Sequence, residues 1–312
     1  MLGQHPRIFA AGELSNIWSS FEKGGHCQCG RTVDSCPFWG PLTQTVVRAF
    51  GLGSPGDIER LRLSVACTRH YMRMKSQGSM SDEQKTYVAI LRTLHQEILT
   101  RSGAATLVDT SKKAVDLLLV SRASSTAAVH LVRSPYGVAA SESDSAKHLN
   151  VPPVDRPPSK KPARSALEWV AANQLARLAS RRIGGPTLRM TYESLVNHPA
   201  RELDRIAIML DAEPYRWEIR GREFNMPALH LVNGNPCRAR SGWQELHVPD
   251  SRRTLSAVDI WSVRSVVAFG NFGHYQSPLA RRVELTAHSL PRSDASTRCP
   301  HPVDLGTSSS GV

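Results

Sequence analysis

The chain has 312 residues, 40% hydrophobic and 21% charged, which supplies enough apolar material for a buried core in one large α/β domain or two small ones. No run of about 18 apolar residues is present, which excludes a membrane-spanning helix, and no basic–apolar–small signal pattern opens the chain, so a cytoplasmic setting is expected. Net charge is +12, from 39 basic and 27 acidic residues, and favours anionic partners; the basic residues are scattered and aromatics are only 6%, which argues against a nucleic-acid surface.

In chain order, Leu2–Pro6 reads as a helix end running into a short apolar strand, Arg7–Ala11, closed by Gly12. Leu14–Phe38 reads as a helical start followed by a Cys/Gly-rich loop. Six cysteines stand at positions 27, 29, 36, 67, 237 and 299. Zinc sites favour Cys-x2–4-Cys pairs with a fourth ligand. Cys27-Gln-Cys29 with one later cysteine, Cys36, departs from that pattern even with His26 alongside. The loop is therefore read as structural and no metal is expected; a cytoplasmic setting also opposes a local disulfide. Leu42–Met74 carries helical patterning broken by Gly51–Gly56. Ser81–Leu99 predicts a helix with Asp82 and Glu83 in its first turn and Tyr87, Ile90, Leu91, Leu94 and Ile98 on one stripe.

Thr106–Val108 predicts a strand ending in Asp-Thr-Ser-Lys, Lys113–Leu119 a helix, Ala127–Val132 a second buried strand and Thr187–Thr191 a third. Between the last two, Ser141–Lys161 is a Ser/Pro/Lys stretch read as a mobile loop or lid. Ala166–Leu178 predicts a helix with Leu167, Val170, Ala171, Gln174, Leu175 and Leu178 on one side, and Leu203, Ile206, Ala207 and Leu210 another helical stripe. The expected division is an α/β domain over residues 1–285 and a disordered tail over 286–312, where Ser, Pro, Gly and Asp displace any apolar period. Strands alternating with helices imply βαβ units and a parallel sheet, whose ligands bind beyond the C-terminal strand ends. Glu13, Lys112, Arg133 and Tyr192 each follow a predicted strand.

Three segments, Leu2–Trp18 (LGQHPRIFAAGELSNIW), Val108–Lys112 (VDTSK) and Leu131–Ser141 (LVRSPYGVAAS), together with CxCG…CPFW at Cys27–Trp39, resemble the sulfotransferases that use the nucleotide sulfate donor PAPS. The likeness is to bacterial members related to the protein-tyrosine sulfotransferases. It spans about Leu2–Gly273, and it is the order and spacing of the motifs that carries it, no single one being diagnostic. It implies a P-loop NTPase-like three-layer fold with a central parallel sheet. It also implies sulfuryl transfer from PAPS, as co-substrate, to a hydroxyl or amine acceptor that the sequence does not name. No metal, nucleic acid or membrane span is implied.

Such a reaction needs a base for the acceptor proton, positive charge on the leaving phosphate and a grip on the donor's remaining phosphates. The resemblance makes Glu13 the general base; without it, Glu13 reads as an exposed or helix-capping residue. It places Lys112 near the donor's bridging oxygen, with Lys113 an ordinary solvated lysine. It makes Arg133 and Ser141 the 3′-phosphate site, where an Arg fork and a hydroxyl early in a helix suit a dianion. Ser134 stands where the family has Asp, which bears on local geometry more than on phosphate binding. Tyr192 would contact the adenine ring, the plain alternative being a core aromatic. Arg238 and Arg240, in the segment His230–Gly242, would close over the nucleotide, the alternative being ordinary surface; His230 is read as structural.

The family's N-terminal strand and Gly/Ser/Thr-rich phosphate loop have no counterpart before Leu2, and no other segment reads as a strand followed by Gly-x4-Gly-Lys-[Ser/Thr]. The expectation is an N-terminally truncated domain lacking a central strand, with unpaired backbone and open apolar faces on its neighbours. Two explanations stand: a start placed downstream of the true one, or a remnant that binds nucleotide in a regulatory role and catalyses nothing. A P-loop kinase is disfavoured by the absence of a Walker lysine and of a magnesium-binding signature.

Overall fold

Strand β1 (Ile8–Gly12) pairs in parallel with β2 (Thr106–Asp109), Ile8 opposite Thr106 and Ala10 opposite Val108. The register then slips, so that Gly12 faces Asp109 and Ala11 is the extra residue. A bulge of this kind bends its strand and turns the next residues in a new direction. On its other edge β1 takes the late segment around Val232, whose N–H donates to the Ala11 carbonyl (2.8 Å). The computed structural model describes residues 1–67, 80–143, 160–233, 241–248 and 255–270. The expected tail, most of the expected lid, Arg238 and Arg240 therefore lie outside the described residues.

Ahead of β1, Leu2–Gln4 forms a single 3-10 turn in place of the expected helix end. After it, a second such turn (Leu14–Asn16) leads into α1 (Ile17–Glu22). Helices α2 (Trp39–Ala49) and α3 (Pro55–Val65) resolve the patterned stretch on either side of its Gly/Pro break. The break itself starts α3: Pro55 takes the first helical position and the Ser54 N–H donates to Asp57 Oδ2 (2.8 Å). The long helix α4 (Asp82–Ser102) begins with a capping box in which Gln84 N donates to Ser81 Oγ (3.3 Å) and Ser81 N to Gln84 Oε1 (2.9 Å). All five residues of its predicted stripe are buried. Trp18, Trp39, Leu42, Ile58, Ile90, Leu94, Ile98 and, from α5 (Ala114–Ala123), Leu119 make the centre of the larger core.

A second parallel pair, β3 (Ala128–Val132) with β4 (Thr187–Thr191), runs in continuous register from Ala128–Thr187 to Val132–Thr191. Among the described residues no ladder joins this pair to β1–β2, so the chain is mixed α/β with two short parallel sheets rather than one continuous sheet. The prediction that β3 is buried holds for Ala128 and Val132 but fails between them: Val129 and Leu131 are 39% and 44% exposed. The opposite face of β3 is the covered one. There His130 Nε2 meets Asn173 Oδ1 (3.0 Å) on α7 (Pro162–Ser180), which follows α6 (Pro135–Ser143) in the described chain.

The predicted face of α7 is corrected in phase. Val170 and Leu175 pack against the cores as predicted, but Leu167, Ala171 and Leu178 are exposed, and the buried ridge is Ser165, Ala166, Trp169, Asn173 and Ala179. Trp169 Nε1 donates to the Arg133 carbonyl (2.9 Å) and Asn173 Nδ2 to the Trp169 carbonyl (2.8 Å). Polar anchoring to β3 thus rotates the helix away from the orientation that its aliphatic residues alone favour. Helices α8 (Tyr192–Asn197) and α9 (Pro199–Met209) follow β4; Leu203, Ile206 and Ala207 are buried as predicted, and Leu210 ends the helix half-buried.

Two further elements are not predicted by the sequence pattern. An antiparallel sheet joins β5 (Ile219–Arg220), β6 (Glu223–Met226) and β7 (Gly242–Glu245), its first hairpin turning at Gly221, where φ is +60°. Gly-Arg between two short runs is a two-residue hairpin signal. Helix α10 (Ala257–Phe269) starts with Ser256 capping Asp259 N (3.2 Å) and packs Val263 and Val267 into a smaller core with Val132, Tyr136 and Trp169. No helix among the described residues is long and apolar enough to cross a membrane.

His95 on α4 is buried, its Nδ1 bonded to Ser124 Oγ (2.9 Å) and its Nε2 without a partner. Burial pushes its pKa down from 6.5 to about 4. The unfolded chain therefore binds a proton that the folded one refuses, and stability falls as pH drops through that interval. Asp116, which burial pushes up to about 6, works in the opposite direction. Comparing His95→Gln with the parent chain isolates the histidine. We expect the parent's stability, relative to the variant's, to fall by about 2–3 kcal/mol between pH 7 and pH 4.5. Urea midpoints at the two pH values measure it, and a constant difference would overturn the assignment.

Candidate functional site

The bulge at the end of β1 sets the geometry of the turn that carries Glu13. Gly12 has φ +88°, and a Cβ there would stand 2.1 Å from the Val232 carbonyl oxygen, so only glycine fits. Glu13 N donates to that same oxygen (2.9 Å). Its side chain is 13% exposed; Oε1 lies 2.7 Å from Lys112 Nζ, and Oε2 accepts from Asn16 Nδ2 (3.1 Å). Lys112, 77% exposed, approaches from the turn after β2. Of the two adjacent lysines, it is Lys112 that meets Glu13.

Asp109 and Ser111 hold these two turns together. Asp109 Oδ1 accepts from Leu14 N (3.1 Å), Ser111 N (2.8 Å) and Ser111 Oγ (2.6 Å), while Ser15 N donates to Ser111 Oγ (2.9 Å). Burial pushes the Asp109 pKa up, against the hydrogen bonds to Ser111 and Leu14, which favour its charged form. Of the Asp-Thr-Ser-Lys motif, the sequence pattern assigns a role to the lysine alone. An Asp two residues before a Ser at a strand end is a turn signal, and it is the one cue to the roles of the other two.

The second pair of strands presents the second pair of residues. Arg133, just past β3, places its guanidinium carbon 5.4 Å from the centroid of the Tyr192 ring, which opens α8 just past β4. Tyr192 is half-buried, with its hydroxyl donating to the His247 carbonyl (3.1 Å), so it is not a core aromatic. Glu193, which no sequence motif marks, accepts from Ser134 N through Oε1 (2.9 Å) and so ties the turn after β3 to the start of α8. Ser141 stands in the second turn of α6, the helix that begins at Pro135, two residues after Arg133.

The late segment reaches this region from far along the chain. Asn233, with φ +54°, donates through Nδ2 to the Asn16 carbonyl (3.2 Å) and to Ser20 Oγ. The late segment is thus fastened at Asn233 beside the turn that bears Glu13. His230, three residues earlier, joins Cys27, Cys29 and Cys36: its Nδ1 lies 3.6 Å from Cys27 Sγ and 3.3 Å from Cys36 Sγ. Burial pushes the His230 pKa down, which favours a neutral imidazole.

The arrangement offers a carboxylate and an ammonium side by side at two parallel strand ends, and a guanidinium over an aromatic ring at two others. The first pair can exchange a proton and neutralise an anion; the second can grip a phosphate and a planar base. No protein-family model matches the chain, and no curated protein matches it. Among solved structures it is similar to a sulfotransferase domain from the curacin biosynthetic pathway, with 13% identity, 87% of this chain and 91% of that chain covered, and a TM-score of 0.40.

Proposed function

We propose that the chain is a sulfotransferase-type protein that binds PAPS and transfers its sulfuryl group to a hydroxyl acceptor. The observation that carries the reading is the contact between Glu13 and Lys112 at the ends of neighbouring parallel strands. In the proposed reaction the acceptor oxygen attacks sulfur, the bond from sulfur to the bridging oxygen breaks, and PAP leaves. Glu13 takes the acceptor proton, and Lys112 neutralises charge on the departing phosphate. Because Lys112 is largely solvated, it can exchange its Glu13 partner for the phosphate at little cost, which frees Oε1 for the proton. Arg133 and Ser141 hold the 3′-phosphate and Tyr192 stacks with adenine. Arg238 and Arg240 are assigned as further phosphate contacts from sequence.

The test is PAP binding by calorimetry, together with transfer from radiolabelled PAPS to a panel of hydroxyl acceptors. Arg133→Ala is expected to weaken PAP about 10–100-fold, as losing a charge-assisted hydrogen bond to a phosphate requires. Equal affinity in both proteins would discredit the 3′-phosphate site. PAP binding with no transfer to any acceptor would leave the nucleotide-binding, non-catalytic reading.

A further inference from the structure

Four ligand atoms from three separate parts of the chain converge beside β1. Cys27 and Cys29 lie in the tight turn closed by the His26–Thr32 bridge and by Cys27 N donating to the Arg31 carbonyl (2.9 Å). Cys36 precedes α2, and His230 belongs to the late segment, 203 residues beyond Cys27. The three Sγ atoms and the imidazole nitrogen all lie within 4.8 Å of one another. Cys27 and Cys36 are buried.

Three of the edges between these atoms fit a tetrahedral site. A tetrahedral zinc with bonds of about 2.3 Å to sulfur and about 2.05 Å to nitrogen has S···S edges of about 3.8 Å and S···N edges of about 3.6 Å. Here Cys29 and Cys36 Sγ are 3.7 Å apart, and His230 Nδ1 stands 3.6 and 3.3 Å from Cys27 and Cys36. Three thiols and an imidazole form a soft donor set, suited to zinc rather than to magnesium or calcium.

The imidazole is also held in position from outside the cluster. Its ring stacks on Phe38, with centroids 5.3 Å apart and 13° between planes, and the His230 carbonyl accepts from Trp39 Nε1 (2.6 Å). On either side, Gln28 N donates to the Leu231 carbonyl (3.0 Å) and Leu229 N to Gln28 Oε1 (3.0 Å). The fourth ligand is thus aimed by backbone and aromatic contacts before any ion arrives, a form of support common in metal centres.

We propose that Cys27, Cys29, Cys36 and His230 form a structural Zn(II) site. Four protein ligands leave no open position, so the ion fastens the chain and takes no part in turnover. On binding, the coordinated thiols release their protons to solvent. The clamp holds segment 227–233 against the cysteine turn and β1, and so helps keep Asn233 next to the Glu13 turn. It requires no particular reaction at that site.

The test uses the full chain, produced with zinc in the medium and purified under thiol reductant without chelator. Elemental analysis is expected to find about one zinc per chain. Cys36→Ser and His230→Ala should lose most of it, and Cys67→Ser should keep it. Cobalt(II) in place of zinc should give thiolate charge-transfer and tetrahedral d–d bands. Should the variants not fold, the parent chain decides: a strong chelator should lower Tm by roughly 10 °C, with recovery on stoichiometric zinc and none on magnesium. Three results would each overturn the site: zinc below about 0.1 per chain with Tm indifferent to chelator, full zinc in both ligand variants, or a Cys29–Cys36 disulfide in the reduced preparation.

Discussion

Replacing Glu13 by glutamine is expected to lower sulfuryl transfer about 10²–10⁴-fold, the range for removing a positioned general base. PAP affinity should stay within about twofold, since the residue is assigned to the acceptor proton and makes no donor contact in the proposed reaction. The substitution keeps the side chain's size and its reach to Asn16 but removes the basic oxygen. Stability should hardly change: Lys112 is 77% exposed and returns to water when its partner is lost. An ion pair of that kind is worth only about 0–1 kcal/mol, so unfolding cannot account for a large loss of turnover. Steady-state transfer, PAP calorimetry and thermal denaturation on the same preparations separate the possibilities. Turnover within threefold of the parent would remove Glu13 from the reaction.

Gly12→Ala should be strongly disruptive for a single-methyl change. Two costs add at this position: a side chain at φ +88°, and a Cβ placed 2.1 Å from Val232 O and 2.9 Å from Val232 N. Strained backbone of this type costs on the order of 1–3 kcal/mol. Relieving the clash requires moving main chain, and we expect a total loss of roughly 3–5 kcal/mol. The escape route is for Val232 to peel from β1, breaking Val232 N to Ala11 O (2.8 Å) and Glu13 N to Val232 O (2.9 Å). That movement draws His230 away from Cys27 and Cys36. The variant should therefore lose stability and bound zinc together, which urea denaturation and elemental analysis measure side by side. A midpoint equal to the parent's would show that the late segment crosses β1 with room to spare for a methyl group.

Much of the local structure is legible in the sequence because it is written in short-range pattern. The stripe Tyr87–Ile98 has helical period and one capping box, and it is buried as its period requires. Strand β1 falls within one residue of its predicted bounds, because a short apolar run closed by glycine has few other readings. The face of α7 is less legible, because five aliphatic or small residues (Leu167, Val170, Ala171, Leu175 and Leu178) outvote Trp169 and Asn173. In the fold these two bond to the Arg133 carbonyl and to His130 and so decide which side turns inward. The exposure of Val129 and Leu131 is equally hidden: an apolar strand has two faces, and the sequence does not say that only one is covered.

At the candidate site, the strand ends and the residue types beyond them stand out in the sequence. Asp109, Ser111 and Glu193, which brace that geometry, look there like ordinary turn residues. The cysteine turn shows the limit most clearly. Cys27, Cys29 and Cys36 have no fourth ligand of zinc-site spacing nearby in sequence, and the neighbouring His26 is not the one the structure supplies.

The helices with strong period, the short parallel strands, and the charged and aromatic residues at their ends can all be read from neighbouring residues alone. Which of them meet is settled by packing: Glu13 with Lys112, Arg133 with Tyr192, and His230 with three cysteines some two hundred residues away. Period and capping are properties of neighbouring residues and survive in one dimension. Contacts between distant segments depend on how a bulge bends one strand and where a glycine lets another backbone cross it, and those are settled only when the chain packs.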